Sequence, residues 1–102
     1  MIHVLAMITT APGSRDEVLE AFNANIPAVK AEDGCIEYGA AIDTAQIAGF
    51  QTALGEDSFV VIEKWESFDA LKAHAASPHM AAYAAKVKDK LTARAIHILT
   101  PA

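Results

Sequence analysis

Cysteine is almost missing from this chain. Cys35 is the only one in 102 residues, which excludes an intrachain disulfide and any zinc site built on thiolates. Nothing resembles a phosphate-cradling glycine loop or a catalytic acid pair, and no close His-x-x-x-His or carboxylate–histidine spacing announces a metal site, so neither metal nor other cofactor is expected. Positive charge is scarce as well. Eight Lys and Arg stand against 13 Asp and Glu, for a net charge of −5 and a pI near 5.2, so there is no electrostatic footprint for nucleic acid or an anionic membrane. No apolar run approaches the ~20 residues that span a bilayer. The opening Met1-Ile2-His3-Val4-Leu5-Ala6 has no basic leader and reads as a strand; the expected location is the cytoplasm.

What the chain does have is apolar surface: 53% of its residues are hydrophobic, many of them alanine. At this length that implies a single domain, residues 1–102, with either a dense core or a large surface shared with a partner. Ile2 to Thr10 reads as a strand that Ala11-Pro12-Gly13 ends. Ser14-Arg15-Asp16-Glu17 has the form of a capping box, and the helix after it sets Val18, Leu19, Phe22, Ile26 and Val29 on one stripe. Pro27 should kink that helix or start a second short one. Asp33-Gly34 turns the chain into a strand from about Cys35 to Asp43, in which Ile36, Tyr38, Ala40 and Ile42 alternate with Glu37, Gly39, Ala41 and Asp43. Ala45 to Asp57 reads as a loop or a bent extension of the strand, with flexible points at Gly49 and Gly55, and Ser58 to Trp65 as the third strand. Ser67 should cap the next helix; Ser77-Pro78 should restart it and carry it to about Lys90. Arg94 to Thr100 completes the set. The order is that of an α+β fold, the ferredoxin-like split βαβ (βαββαβ) with an antiparallel sheet.

Strand polarity adds an expectation about assembly. Ile2, Val4, Ala6 and Ile8 point one way and Leu5 and Met7 the other; Phe59, Val61 and Trp65 oppose Val60 and Ile62. Helices can cover only one face of such a sheet, so the second apolar face is a candidate interface. A two-fold homodimer with sheets packed face to face is expected.

The densest cluster of reactive and aromatic side chains runs from Glu63-Lys64-Trp65-Glu66-Ser67 through His74, Ser77-Pro78-His79-Met80 and Tyr83. Together with Glu32-Asp33-Gly34-Cys35, Tyr38 and the Gly49-Phe50-Gln51 loop, these blocks resemble, in order and over the whole chain, the antibiotic biosynthesis monooxygenase (ABM) superfamily, and within it the quinol-oxidising members. The resemblance implies a dimeric α/β barrel that oxidises a small aromatic or quinol substrate with molecular oxygen and no metal or organic cofactor. It also has departures. Val61 stands where polyketide-oxidising members carry asparagine four residues before the matching Trp65. Haem-degrading members place a histidine where this chain has Ala82, Tyr83 and Ala84, which disfavours haem.

The chemistry expected of the residues follows from the substrate. A hydroquinone gives up an electron readily once a phenolic proton is removed, and imidazole, with an unperturbed pKa of about 6.5, is a suitable base near neutrality. His74 and His79 are the catalytic candidates, with His74 favoured because Leu71 places it near the buried stripe; the bland alternative is that His74 caps a helix terminus. Trp65 is a stacking surface or a core indole. Tyr38 and Tyr83 offer phenols to the substrate or anchor the sheet and helix. Glu63, on the Trp65 side of its strand, is a pocket acid or an ion-pair partner, and Phe50 is the candidate lid. His3 and His97 are expected to lie near each other on opposite terminal strands. Besides oxidation, a non-enzymatic module that binds a small aromatic ligand remains open, as, more remotely, does a haem-binding relative.

Overall fold

Alternation of β-branched and small residues from Ile2 to Thr10 buries Val4, Ala6, Ile8 and Thr10 on one face, and this strand, β1, is the centre of the molecule. In the computed structural model, which describes residues 1–45 and 49–102, β1 pairs antiparallel with β3 (Ser58–Trp65) on one side and β4 (Leu91–Leu99) on the other. β2 (Cys35–Ala41) pairs with β3, so the open four-stranded sheet runs β2-β3-β1-β4. The helices α1 (Arg15–Lys30), α2 (Phe68–Ala75) and α3 (Pro78–Val87) complete the expected βαββαβ order. Val18, Phe22 and Val29 from α1 and Val87 from α3 meet Phe59, Val61 and Trp65 from β3 in the single core. Among the described residues, no helix is long and apolar enough to cross a membrane.

The local expectations hold in some places and fail in others for identifiable reasons. Ser67 caps α2 as expected: its hydroxyl accepts the amide of Ala70 at 3.1 Å. Ser14 occupies the N-cap of α1 but makes no capping bond, because its backbone is helical (φ −98°, ψ −2°) rather than extended, and that aims the hydroxyl away from the free amides. Pro27 neither kinks α1 into two helices nor restarts it. Pro27 and Asn23 are both exposed, so the carbonyl that loses its amide partner lies on the wet side. Ile36 does not share the buried face with Tyr38. A register shift between Cys35 and Glu37 leaves it 52% exposed. At the other end of the chain α3 stops at Val87, a 3-10 turn spans Lys88–Lys90, and β4 starts at Leu91 because that residue already pairs with Thr10. Within the expected loop, residues 46–48 lie outside the described ones. Its far side is pinned, since the Asp43 carboxylate accepts the amides of Leu54 and Gly55 at 2.9–3.0 Å, and those amides hold its pKa below the ordinary carboxylate value.

The turn between α1 and β2 is a close junction. Gly34 has φ +82°, and a Cβ built on it would lie 2.7 Å from the Ala70 Cβ of α2. Only glycine meets both demands. The Gly34 carbonyl also accepts the Glu66 amide at 2.8 Å, so the turn, the end of β3 and the start of α2 form one rigid corner.

Candidate active site

That corner brings Glu32, just before the Asp33-Gly34 turn, under the C-terminal turn of α2. There the Nδ1 of His74 lies 2.8 Å from the Glu32 Oε2, and the Nε2 of His79, from the first turn of α3, lies 2.9 Å from the same oxygen. The serine between the helices fixes the proton on His79. The Ser77 hydroxyl donates to the His74 carbonyl at 2.7 Å, so it can only accept from His79 Nε2 at 3.2 Å. Nε2 of His79 therefore carries hydrogen, and Glu32 accepts from both imidazoles. His74 is 4% exposed and His79 is half-buried. The proline break between the helices thus lets both histidines turn toward one carboxylate, which spacing along a continuous helix would not permit.

On its other side, His74 presents Nε2 to Glu63, 3.9 Å from Oε1. Glu63 is 8% exposed, and its Oε1 accepts the Trp65 indole N–H at 2.9 Å. Burial pushes the Glu63 carboxyl above its ordinary value, against the opposing effects of the Trp65 hydrogen bond and of His74. The Trp65 and His74 rings lie 4.6 Å apart between centroids with a 35° tilt, and Tyr38 meets His74 edge-on at 5.4 Å. The result is one connected line: Trp65, Glu63, His74, Glu32, His79.

Glu63 is where this line opens onto a cavity. A hollow of about 450 Å³ lies between the sheet and α3, within the size range of small-molecule sites. Phe22, Tyr38, Val61, Met80 and Tyr83 form much of its wall. Among the described residues, Glu63 is the one carboxyl that lines it. Tyr38 donates its hydroxyl to the Met80 sulfur at 3.9 Å, a weak acceptor that leaves the phenol free to favour a better one. Burial raises the pKa of both Tyr38 and Tyr83, with the nearby Glu63 adding to the Tyr38 shift, so both remain neutral donors near neutrality.

The residues singled out from the sequence therefore divide. Glu63, Tyr38 and Tyr83 line the cavity. Trp65, fully buried, stands behind Glu63 and reaches the cavity through that carboxyl. His74 and His79 lie behind it again, joined by Glu32. Phe50 is 93% exposed and is not among the cavity's lining residues. His3 and His97 share the outer face of the sheet, where His97 pairs with Leu5 and His3 with Leu99. Glu32 is the residue that sequence reasoning did not single out for a role. Its signal was its place at the head of the Glu32-Asp33-Gly34-Cys35 block, which the resemblance already marked. Glu32, His74 and His79 offer donor atoms within 4.8 Å of one another, a spacing a metal ion could use; here those atoms bond to each other.

Comparison with known proteins agrees with this architecture. The chain is 42% identical to the "Probable quinol monooxygenase YgiN" of Escherichia coli K12 over 103 aligned positions, covering 99% of this chain and 98% of that one. Among solved structures, Rv0793 from Mycobacterium tuberculosis is 28% identical with a TM-score of 0.81, covering 99% of this chain and 94% of that one. PA3566 from Pseudomonas aeruginosa shares the fold, with a TM-score of 0.81 at 24% identity over 99% of this chain and 93% of that one. The family model described as "Antibiotic biosynthesis monooxygenase" matches residues 1–86. By sequence and by fold, the chain belongs to the antibiotic biosynthesis monooxygenase family.

Proposed function

We propose that this protein oxidises a quinol or related aromatic phenol to the quinone with molecular oxygen, using no metal or organic cofactor. The observation that carries the reading is a lone carboxyl, Glu63, facing an aromatic-walled cavity and backed by an indole N–H and an imidazole. A planar phenol enters the hollow alongside the stacked rings of Phe22 and Tyr38 and the ring of Tyr83, and its hydroxyl approaches Glu63. A carboxylate with a raised pKa is a better proton acceptor than a solvated one. Removal of the phenolic proton gives an anion that passes electrons to dioxygen. In the oxidase form of the reaction, one quinol and one dioxygen become one quinone and one hydrogen peroxide.

The proton needs a route out of a dry site, and the line behind Glu63 supplies one. With Nδ1 at Glu32, His74 turns its Nε2 toward Glu63. A small rotation or a bridging water closes the 3.9 Å gap. Nε2 takes the proton as Nδ1 releases its own to Glu32, whose partly exposed carboxyl hands it to water. In this reading His74 acts through Glu63 and not on the substrate. The test is aerobic assay of chelator-treated protein with 2-methyl-1,4-naphthohydroquinone, followed by quinone absorbance. Oxidation well above the buffer rate is expected; binding with no excess oxidation would leave only an aromatic-binding module.

The same reading extends to assembly. Leu5, Met7, Val60 and Ile62 lie on the sheet face opposite the helices, and Leu99 joins them from β4. Met7 and Leu99 are exposed in the single chain. We infer that a second copy covers this face, turning the open sheet into half of a dimeric barrel. Sedimentation at micromolar concentration should give twice the 10.8 kDa chain mass; a single species at chain mass would contradict it.

A further inference from the structure

The cavity is polarised from end to end, and its polarity names a substrate class. Glu63 stands opposite Val4 on β1, whereas Arg94 of β4 stands opposite Ile8. Four residues of strand separate these levels, roughly 13 Å at the usual rise. Between them the lining is apolar, with Ala6, Val61, Leu91 and Ile96 on the sheet side and Val87 across from it. At the far end Lys88, Thr92 and Arg94 all line the hollow. The register explains Arg94. Its pairing with Ile8 puts it on the cavity face of β4, alternating with Ala95 and His97 on the outer face. Among the described residues, neither Lys88 nor Arg94 takes part in an ion pair, whereas Lys64 is held by Glu37 and Lys90 by Glu17. Two cations in a chain of net charge −5 thus stand at the end of the hollow remote from Glu63, its one lining carboxyl among the described residues, and neither is held in an ion pair.

We propose that Lys88 and Arg94 form an anion subsite at the cavity mouth, and that the preferred substrate is a phenol or quinol carrying a carboxylate at the end of its ring system remote from the reacting hydroxyl. This deepens the reading of the cavity as an aromatic phenol site. The arrangement orients the substrate in one sense. A carboxylate at the inner end would meet the Glu63 carboxyl in a dry setting, which is costly. At the mouth it meets the Arg94 guanidinium, whose fork matches its two oxygens, the Lys88 ammonium that lines the same end, and water to solvate what remains.

The test separates the subsite from the oxidation. The dissociation constants of 2-naphthol and of 6-hydroxy-2-naphthoate, neither of which is a quinol, are measured by calorimetry on the wild-type protein and on the Lys88→Gln/Arg94→Gln double variant. Both positions are exposed on the free chain, and thermal unfolding confirms that the variant is folded. The wild type should bind the carboxylated ring ~10-fold more tightly than the plain one, with the ratio shrinking as salt is added. In the double variant the ratio should fall to about one, and Arg94→Lys with Lys88 intact should keep part of it. Equal binding of the two rings by the wild type overturns the subsite and leaves the aromatic cavity standing. A preference that survives in the double variant overturns the assignment to these residues. Binding of neither ring overturns subsite and cavity together.

Discussion

Glu63→Gln should lower the rate of quinol oxidation by ~10²–10⁴-fold, the range lost when a positioned general base is removed. The substitution is nearly isosteric, and the amide oxygen can still accept the Trp65 indole N–H that Glu63 Oε1 accepts at 2.9 Å. Binding of a naphthol should therefore change far less than turnover. Stability should move the other way. Burial raises the folded-state pKa of Glu63 above its ordinary 4.5. A group raised in this way contributes stability at pH values below 4.5 and loses it as pH rises through the folded value, because the folded state must then hold a buried carboxylate. Relative to wild type, the variant should thus become more stable across that same rise and level off above it. Wild-type turnover should increase over the same interval as the carboxyl ionises. Thermal denaturation and initial rates measured at matched pH values check both halves. Loss of activity with no change in the pH dependence of stability would mean that Glu63 is not the buried titrating group.

His74→Ala is expected to damage both activity and folding, for separable reasons. The imidazole lies between Glu63 and Glu32, packed on Trp65 and Tyr38. Its loss leaves two carboxyls facing a hole, one of them without the donor it had at 2.8 Å, which costs about 1–3 kcal/mol. Turnover should fall ~10²-fold or more because Glu63 loses the group that takes its proton onward. Exogenous imidazole, which fits the space vacated, should restore much of the rate. A purely structural histidine would give the instability without that rescue, and the rescue should be absent in the Glu63→Gln background. His79 sits where water can substitute for it, so His79→Ala should lose less than His74→Ala.

Much of the fold was legible because the features that decide it are local. Alternation placed β3 at Ser58–Trp65, the Ser67 hydroxyl marked the start of α2, and the two apolar faces of β1 were told apart residue by residue, though not which of them the helices cover. Where backbone geometry or register overrode the local signal, reading by pattern failed. Ser14 has the right side chain in the wrong backbone conformation, Pro27 falls on a solvent-facing turn, and Ile36 sits in a register shift that alternation cannot detect. The candidate site was half legible. Trp65, Glu63, His74 and His79 stood out by residue type, and the strand parity of Glu63 placed it beside Trp65. Their connection did not, because it runs through Glu32, 42 residues from His74 and 47 from His79 in the chain. A carboxylate before a turn looks like a solvated surface group until the turn is seen to press against α2. The close approach at Gly34 is what makes that happen, and nothing in the composition of a glycine turn says which helix it will touch.

The most direct measurement of the central claim is an oxygen-electrode experiment on metal-free protein mixed anaerobically with 2-methyl-1,4-naphthohydroquinone. On admission of oxygen, uptake should begin at once, far above the buffer rate, with one quinone formed per dioxygen consumed, and the Glu63→Gln protein should remain near the buffer rate. Uptake no faster than buffer from a protein shown by calorimetry to hold the quinol, or equal uptake by the Glu63→Gln protein, would contradict the account.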